Sequence, residues 1–364
     1  MICSGAGGYI GHCPLEGESY LRTNRRLYPA FICATVTAVL CLAATGASGY
    51  HLTQKYKASG SGTWDYVSID SAARRVYVAH LTEVNVLDAD TGSEIGKIAN
   101  LKGAHGVAVA ADLGKGFITD GITNQVVIFD LKTLKTLGTA PAGKKPDSIM
   151  YEPTTKRVFA YNNGAEDATV VDAASGKVVG TIALGGAPEF SVHDGKGKIY
   201  VNLEDKNETL RVDAATMKVE KRFPLAPCEE PSALAIDRAN GKLFAGCANK
   251  KLAVLDIASG KVLTTLPIGP HVDAAAFDPE TKLVFASTYN GVVTVIGQTG
   301  TNQYAVMDSI STKQASKTMD LDLKTHSLWL ASADFKPALP PTAIRTPAGT
   351  MPVPGSFTML VFGK

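Results

Sequence analysis

VVDAASGKVVGTIALG (170–185) is matched by VLDIASGKVLTTLPIG (254–269), and more loosely by VLDADTGSEIGKI (86–98), IFDLKTLKTLGTAPAG (128–143) and RVDAATMKVEKRFPLA (211–226). The aspartates that anchor these copies, Asp88, Asp130, Asp172, Asp213 and Asp256, are spaced by 42, 42, 41 and 43 residues. A fixed period of this length marks a repeat architecture. Working outward from residue 172, the unit reads as four short apolar runs: DSIMYEP (147–153), KRVFAYN (156–162), ATVVDAA (168–174) and KVVGTIAL (177–184). Each alternates with period 2 and ends at Pro, Asn, Ser or Gly, the pattern of strands and turns. No window here sustains a 3.6-residue apolar face. Four-stranded units of this length are β-propeller blades.

First strands are expected to start near Asp65, Gly106, Asp147, Glu189, Ser232, Asp273 and Lys317, which counts seven blades. The last unit offers only MDLDL (319–323), HSLWLAS (326–332) and SFTMLVFGK (356–364), one strand short. YHLTQKYK (50–57) is a strand candidate with no blade of its own. The expected fold is therefore all-β, a seven-bladed β-propeller whose ring closes by pairing the N-terminal and C-terminal strands, leaving no open sheet edge between the chain ends. An open solenoid would need shorter coils and terminal caps. The Trp64-Asp65 pair opens a first strand, whereas the WD repeat ends a third with that dipeptide.

Ahead of the blades the chain changes character. Arg22, Arg25 and Arg26 precede AFICATVTAVLCLAATGASG (30–49), a basic, apolar, small-residue order that reads as a signal peptide over 21–49. The apolar run is short for a membrane span, so no span is expected once the signal is removed. Residues 1–20 are an unassigned extension, consistent with a misplaced start, and 50–364 is the propeller. The expected compartment is periplasmic or secreted, and the expected state a monomer. Removal of 1–49 leaves two cysteines, Cys228 and Cys247, which in an oxidising compartment are expected to form a disulfide.

Lys and Arg total 36 against 34 Asp and Glu, a balance that announces neither a nucleic acid nor a membrane surface as partner. The leading positions of the first strands point at the ring axis, and four of the seven are carboxylates: Asp65, Asp147, Glu189 and Asp273. Lys317 shares that register. Its neighbours add His105, Glu230 and His271, and loops between second and third strands on the same face bring Asn162, Asn202 and Glu204. These residues are the candidate ligand-binding mouth. Asp147, Glu189, His105 and His271 are the candidate metal ligands, because carboxylate oxygens suit a divalent metal and imidazoles extend the choice to transition metals. The opposite mouth, with turns such as EPTTK (152–156) and DPETK (278–282), reads as solvated turns. The six-proline segment 333–355 falls between the second and third strands of the last blade and belongs to the acidic mouth, as a lid or partner loop.

The repeats at 254–269 and KRVFAYNNG (156–164), with WDYVSID (64–70), HGVAVAADLGKGFITDG (105–121), PEFSVHDGKGKIYVNLEDKNE (188–208) and PSALAIDRANGKLFAGCANK (231–250), resemble YVTN-repeat β-propellers of the YncE-like family over about residues 50–364. The resemblance implies a seven-bladed exported protein within the wider WD40-like repeat superfamily, and specifies no activity. Single-stranded DNA binding has been associated with the YncE type, but base stacking needs aromatics beside a basic groove, and the mouth here is acidic. The leading expectation is a binding or scaffolding protein of the cell envelope whose partner is a small molecule or an envelope protein. The alternative is a metal-assisted hydrolase or lyase at the same mouth, with Glu189 or Asp147 as base and His105 or His271 as ligand or acid. No nucleophile elbow, HExxH or Walker loop assigns catalytic residues.

Overall fold

The structure is a computed structural model that describes residues 48–60, 62–340, 342–343 and 345–364. The extension and the signal-peptide assignment over residues 1–47 lie outside the described residues. Among those described, no helix is long and apolar enough to cross a membrane.

Seven four-stranded antiparallel sheets form the blades of a propeller, with one two-stranded ribbon beside them. The first strands, innermost in each blade, are Val67–Asp70, Ala104–Ala110, Pro146–Glu152, Pro188–His193, Pro231–Asp237, Val272–Asp278 and Met319–Asp322. The last blade is assembled from both ends of the described chain. His51–Lys57 pairs with Thr358–Gly363 from His51 opposite Gly363 to Lys57 opposite Thr358, and Thr358–Gly363 pairs with Ser327–Ser332. The spare N-terminal strand thus supplies the strand that the last blade lacks. The segment just before it is also held. Tyr50 is buried against Phe285 and its hydroxyl donates to the His326 carbonyl, and Ser48 donates through both backbone N–H and hydroxyl to Asp308.

Three sequence rules build the blades, the second of them in the first five. The second strand carries an aromatic at its third residue throughout: Tyr77, Phe117, Phe159, Tyr200, Phe244, Phe285 and Trp329. All are buried. They fill the wedge between neighbouring sheets, where large rings give most apolar area per residue. The repeating aspartate closes the turn between third and fourth strands. Its carboxylate accepts the backbone N–H three residues on: from Thr91 to Asp88 at 2.8 Å, Thr133 to Asp130 at 2.7 Å, Ser175 to Asp172 at 2.8 Å, Thr216 to Asp213 at 2.6 Å and Ser259 to Asp256 at 2.8 Å. These are Asx turns, and they explain why the period is written in aspartate. Finally, small polar side chains stitch each blade to the next. Ser68 donates to the Val107 carbonyl at 2.9 Å, Ser148 to Glu189 at 2.6 Å, and Ser232 to Val272 at 2.6 Å.

Far-mouth turns such as EPTTK and DPETK expose most of their residues, as the sequence suggests, but the acid that opens each one turns inward. Glu152, Asp278 and Asp322 are fully buried there. Each caps its own turn, as Glu152 does by accepting from the N–H groups of Thr154 and Thr155 at 3.1 and 2.8 Å.

Cys228 and Cys247 form a disulfide with Cα atoms 5.7 Å apart, both buried in the core of the fifth blade.

Candidate functional site

Strand pairing defines which residue of each blade stands at the channel mouth. In the third blade Pro146 pairs with Asn162, and after a bulge Ile149 pairs with Ala160. Asp147 lies inside that bulge. The second blade repeats it, Ala104 with Asp120 and Val107 with Ile118, so the equivalent of Asp147 is His105. Period counting assigns Gly106; the register is one residue earlier. The mouth ring is therefore Asp65, His105, Asp147, Glu189, Ser232, Asp273 and Lys317. In the second to sixth blades the bulge turns these side chains out of the alternating pattern and toward the axis.

They surround a cavity of about 350 Å³ lined also by Tyr66, Glu204, Glu230, His271, Tyr289, Arg345 and Thr346. Within the ring, His105 Nδ1 lies 2.6 Å from Asp65 Oδ2 and 3.6 Å from Asp147 Oδ1. Lys317 Nζ pairs with Asp273 at 2.7 Å. Asn163 Nδ2 donates to Glu189 Oε1 at 3.1 Å. Six carboxylates (Asp65, Asp147, Glu189, Glu204, Glu230 and Asp273) thus line a space whose cationic lining is Lys317 and Arg345, with histidines at its edge.

That imbalance shows in the proton affinities. Burial, then the charge of Asp65, pushes Asp147 up from 3.8 to about 6. Burial, then the charge of Asp147, holds Glu189 well above the usual carboxylate range. Glu204 is raised by burial and by Glu230. Burial works against the charge of His105, but its hydrogen bond to Asp65 and the field of Asp147 outweigh it and raise its pKa. Lys317 behaves likewise: burial opposes its charge, and Asp273 with Asp65 prevails. The Tyr66 hydroxyl, buried beside Asp147 and Glu189, is held far above its ordinary range and stays neutral. Two opposite effects are at work: cations at the mouth are stabilised, and acids there retain protons.

Of the expected site residues, Asp65, Asp147, Glu189, Glu204, Glu230, His271, Asp273 and Lys317 line the cavity, and His105 contacts it through Asp65 and Asp147. Asn162 and Asn202 do not line it. Asn162 is buried and donates to Asp167 and Thr169; Asn202 is buried, donates to the Ala233 carbonyl and accepts from Thr209. Their loop register points to the mouth, but Asn162 turns back to side chains of its own blade and Asn202 to the first strand of the next. Of the four candidate metal ligands, His105 and Asp147 come together with Asp65, one ligand atom of each lying within 4.8 Å of the others; Glu189 and His271 are not part of that group. His105 Nδ1 already shares a hydrogen bond with Asp65 Oδ2 at 2.6 Å.

Sequence reasoning does not single out Tyr66, Tyr289 or Arg345. A signal for Arg345 is present: it is the single arginine of the proline-rich segment 333–355. That segment lies over the mouth. Phe335–Lys336 pairs with Met351–Pro352, Phe335 packs on Trp64, Gln314 Nε2 donates to the Pro340 carbonyl at 2.9 Å, and Thr346 meets the Tyr289 hydroxyl at 3.1 Å.

A search of curated proteins found no match. Among solved structures, the chain is similar to a Kuenenia stuttgartiensis hydrazine synthase chain, with a TM-score of 0.65 at 14% identity, covering 75% of this chain and 93% of that one. Identity that low speaks to the propeller fold alone. In sequence, residues 55–197 match the model of the YNCE-like beta-propeller family.

Proposed function

We propose that the protein is an exported binding protein of the cell envelope, and that its acidic mouth takes a ligand through a cationic group. The observation that carries this reading is the proton-holding pair Asp147 and Glu189 inside a cavity of six carboxylates. Burying carboxylates together costs free energy unless a positive charge joins them. An entering cation offsets that cost and favours the ionised form of both acids, so the site is chemically matched to positive charge. A nucleic-acid strand would bring phosphates against the same carboxylates, which disfavours that reading. The export assignment is supported by the basic, apolar, small-residue order of residues 22–49 and by the buried Cys228–Cys247 disulfide, a bond that persists in oxidising compartments.

A metal-assisted hydrolase or lyase is the second reading, favoured by the approach of Asp65, His105 and Asp147. Calorimetric titration with 1,4-diaminobutane, Ca²⁺ and Zn²⁺ separates the two. The binding reading expects the diamine to bind and Asp147→Asn with Glu189→Gln to abolish it. Tight Zn²⁺ binding that needs His105, with no diamine binding, supports the metal reading instead. If none of the three binds, the mouth is a polar funnel and the protein acts through its outer surface.

A further inference from the structure

The channel does not end at the acidic mouth. Tyr66 and Phe190 meet below it with ring centroids 4.9 Å apart. Beyond them lies a cavity of about 130 Å³, and beyond that a larger one of about 230 Å³ at the far mouth. The two lower cavities share Phe190, Ser191, Ala275 and Asp320. The larger is walled by apolar side chains from the far ends of four adjacent first strands, among them Val192, Ile236, Phe277 and Leu321. Its lining holds two charged side chains, Asp320 and Arg238.

Asp320 is out of keeping with its register. Strand pairing puts it level with Ser68, Ala108, Met150, Val192, Ala235 and Ala276 in the other blades. Six blades place a small or apolar residue there and one places an acid. Its two oxygens each accept one backbone N–H at 2.8 Å, from Ile69 and from Leu321. Among the described residues it makes no ion pair with Lys, Arg or His. Each oxygen keeps a lone pair that the fold does not use. Burial raises its pKa to about 7, the two N–H groups working in the opposite sense. Arg238 is spoken for at the rim: it is exposed, and its Nε donates to the His193 carbonyl at 2.9 Å.

We infer that the far compartment is a second ligand site, and that it takes a small apolar amine whose ammonium group meets Asp320 while its body lies among Phe190, Phe277, Val192 and Leu321. The unpaired acid supplies the charge-assisted hydrogen bond, and the phenylalanine rings offer faces to the cation. The occupant differs from that of the acidic mouth: the walls here are apolar, so a bare diamine or metal ion would gain little from them, whereas an aryl or alkyl body buries its surface.

The test compares three probes of one shape, 2-phenylethylamine, 2-phenylethanol and 3-phenylpropanoate, titrated into the whole protein at pH 8 and followed by ligand-observed NMR and calorimetry. The amine is expected to bind more tightly than the alcohol by on the order of tenfold, and Asp320→Asn to bring it down to the alcohol. Ala276→Leu keeps Asp320 and its backbone donors but fills the compartment, and is expected to remove amine binding. Tighter binding of the carboxylate would make Arg238 the recognition group and overturn the inference. So would amine binding that survives Ala276→Leu, which would belong to the acidic mouth, and so would the failure of all three probes to bind.

Discussion

Replacing Asp147 with Asn is expected to stabilise the protein, and only above a defined pH. The carboxyl of Asp147 is 15% exposed and its pKa is about 6, against 3.8 when unperturbed. A tenfold change in proton affinity is worth about 1.4 kcal/mol, so holding this proton costs the charged native state at most about 3 kcal/mol. The sign follows from which state holds the proton. Below pH 3.8 the carboxyl is neutral folded and unfolded, and there is no penalty. Between 3.8 and 6 the unfolded chain releases the proton and the folded chain does not, so the native state loses stability as pH rises. Above 6 the penalty is complete. Asn cannot ionise and avoids it. The attraction of His105, 3.6 Å away, already opposes the rise in pKa and is included in it. For a domain of this size, about 2.1 cal/mol/K of unfolding entropy per residue turns 3 kcal/mol into a Tm increase of roughly 4 °C. Urea unfolding of wild type and Asp147→Asn at pH 3.5 and pH 7.5 is the assay, with equal stability expected at the lower pH and the variant ahead at the higher. A variant less stable at pH 7.5, or a difference of the same size at both, would refute the claim that the mouth holds this acid against its charge.

Three other outcomes are expected. Replacing Cys228 and Cys247 with Ser removes a bridge closing a loop of 19 residues, costing about 3 kcal/mol by loop-closure entropy, and reductant should lower the wild-type Tm by a similar step while leaving the variant's unchanged. Deleting residues 50–57 strips Thr358–Gly363 of its outer partner and removes buried Tyr50; the variant should melt earlier and self-associate in sedimentation, since the exposed edge is free to pair. Diamine affinity at the acidic mouth should fall as pH drops from 8 to 5, because Asp147 and Glu189 must lose protons to meet the cation, and calorimetry in buffers of different ionisation enthalpy should register proton release on binding near pH 6.

The blade count and the closure are legible in the sequence because each is written in one dimension. A 42-residue period and one unmatched strand at each end admit few arrangements. The site is legible as a ring of positions and less so as side chains. The units vary slightly in length, 40 residues from Asp65 to His105 and 42 from His105 to Asp147, and an average period cannot resolve this, so the second blade's mouth residue is His105 where counting gives Gly106. Asn162 and Asn202 sit at the right loop register, yet an amide's donors can be claimed by groups inside the blades, and here they are, by Asp167 and Thr169 for Asn162 and by the Ala233 carbonyl for Asn202. At the far mouth EPTTK and DPETK are the surface turns they look like, except that Glu152 and Asp278 are drawn inward by the turn amides they cap. Arg345 escapes notice because no repeat covers the segment that carries it.

Proton affinity separates the carboxylates that the fold requires from those that it merely tolerates. Asp88, Asp130, Asp172, Asp213 and Asp256 all have pKa values lowered, chiefly by hydrogen bonds from their own turn or a flanking lysine. Glu152, Asp278 and Asp322 are lowered too, although burial opposes it, because turn donors, helped at Asp278 by His326 and at Asp322 by Arg74, more than compensate. In each case the folded backbone prefers the ionised form, which is what a structural cap does. Asp147, Glu189, Glu204 and Asp320 are displaced the other way. They cluster along one axis, at the mouth and deep in the channel. Asp320 links the last blade to the first through the Ile69 N–H, but burial still raises its pKa, and all four groups are gathered where a ligand can reach them. A positive charge arriving from outside turns the same groups into favourable contacts, so the chemistry that makes them costly to the fold is what equips the channel to bind.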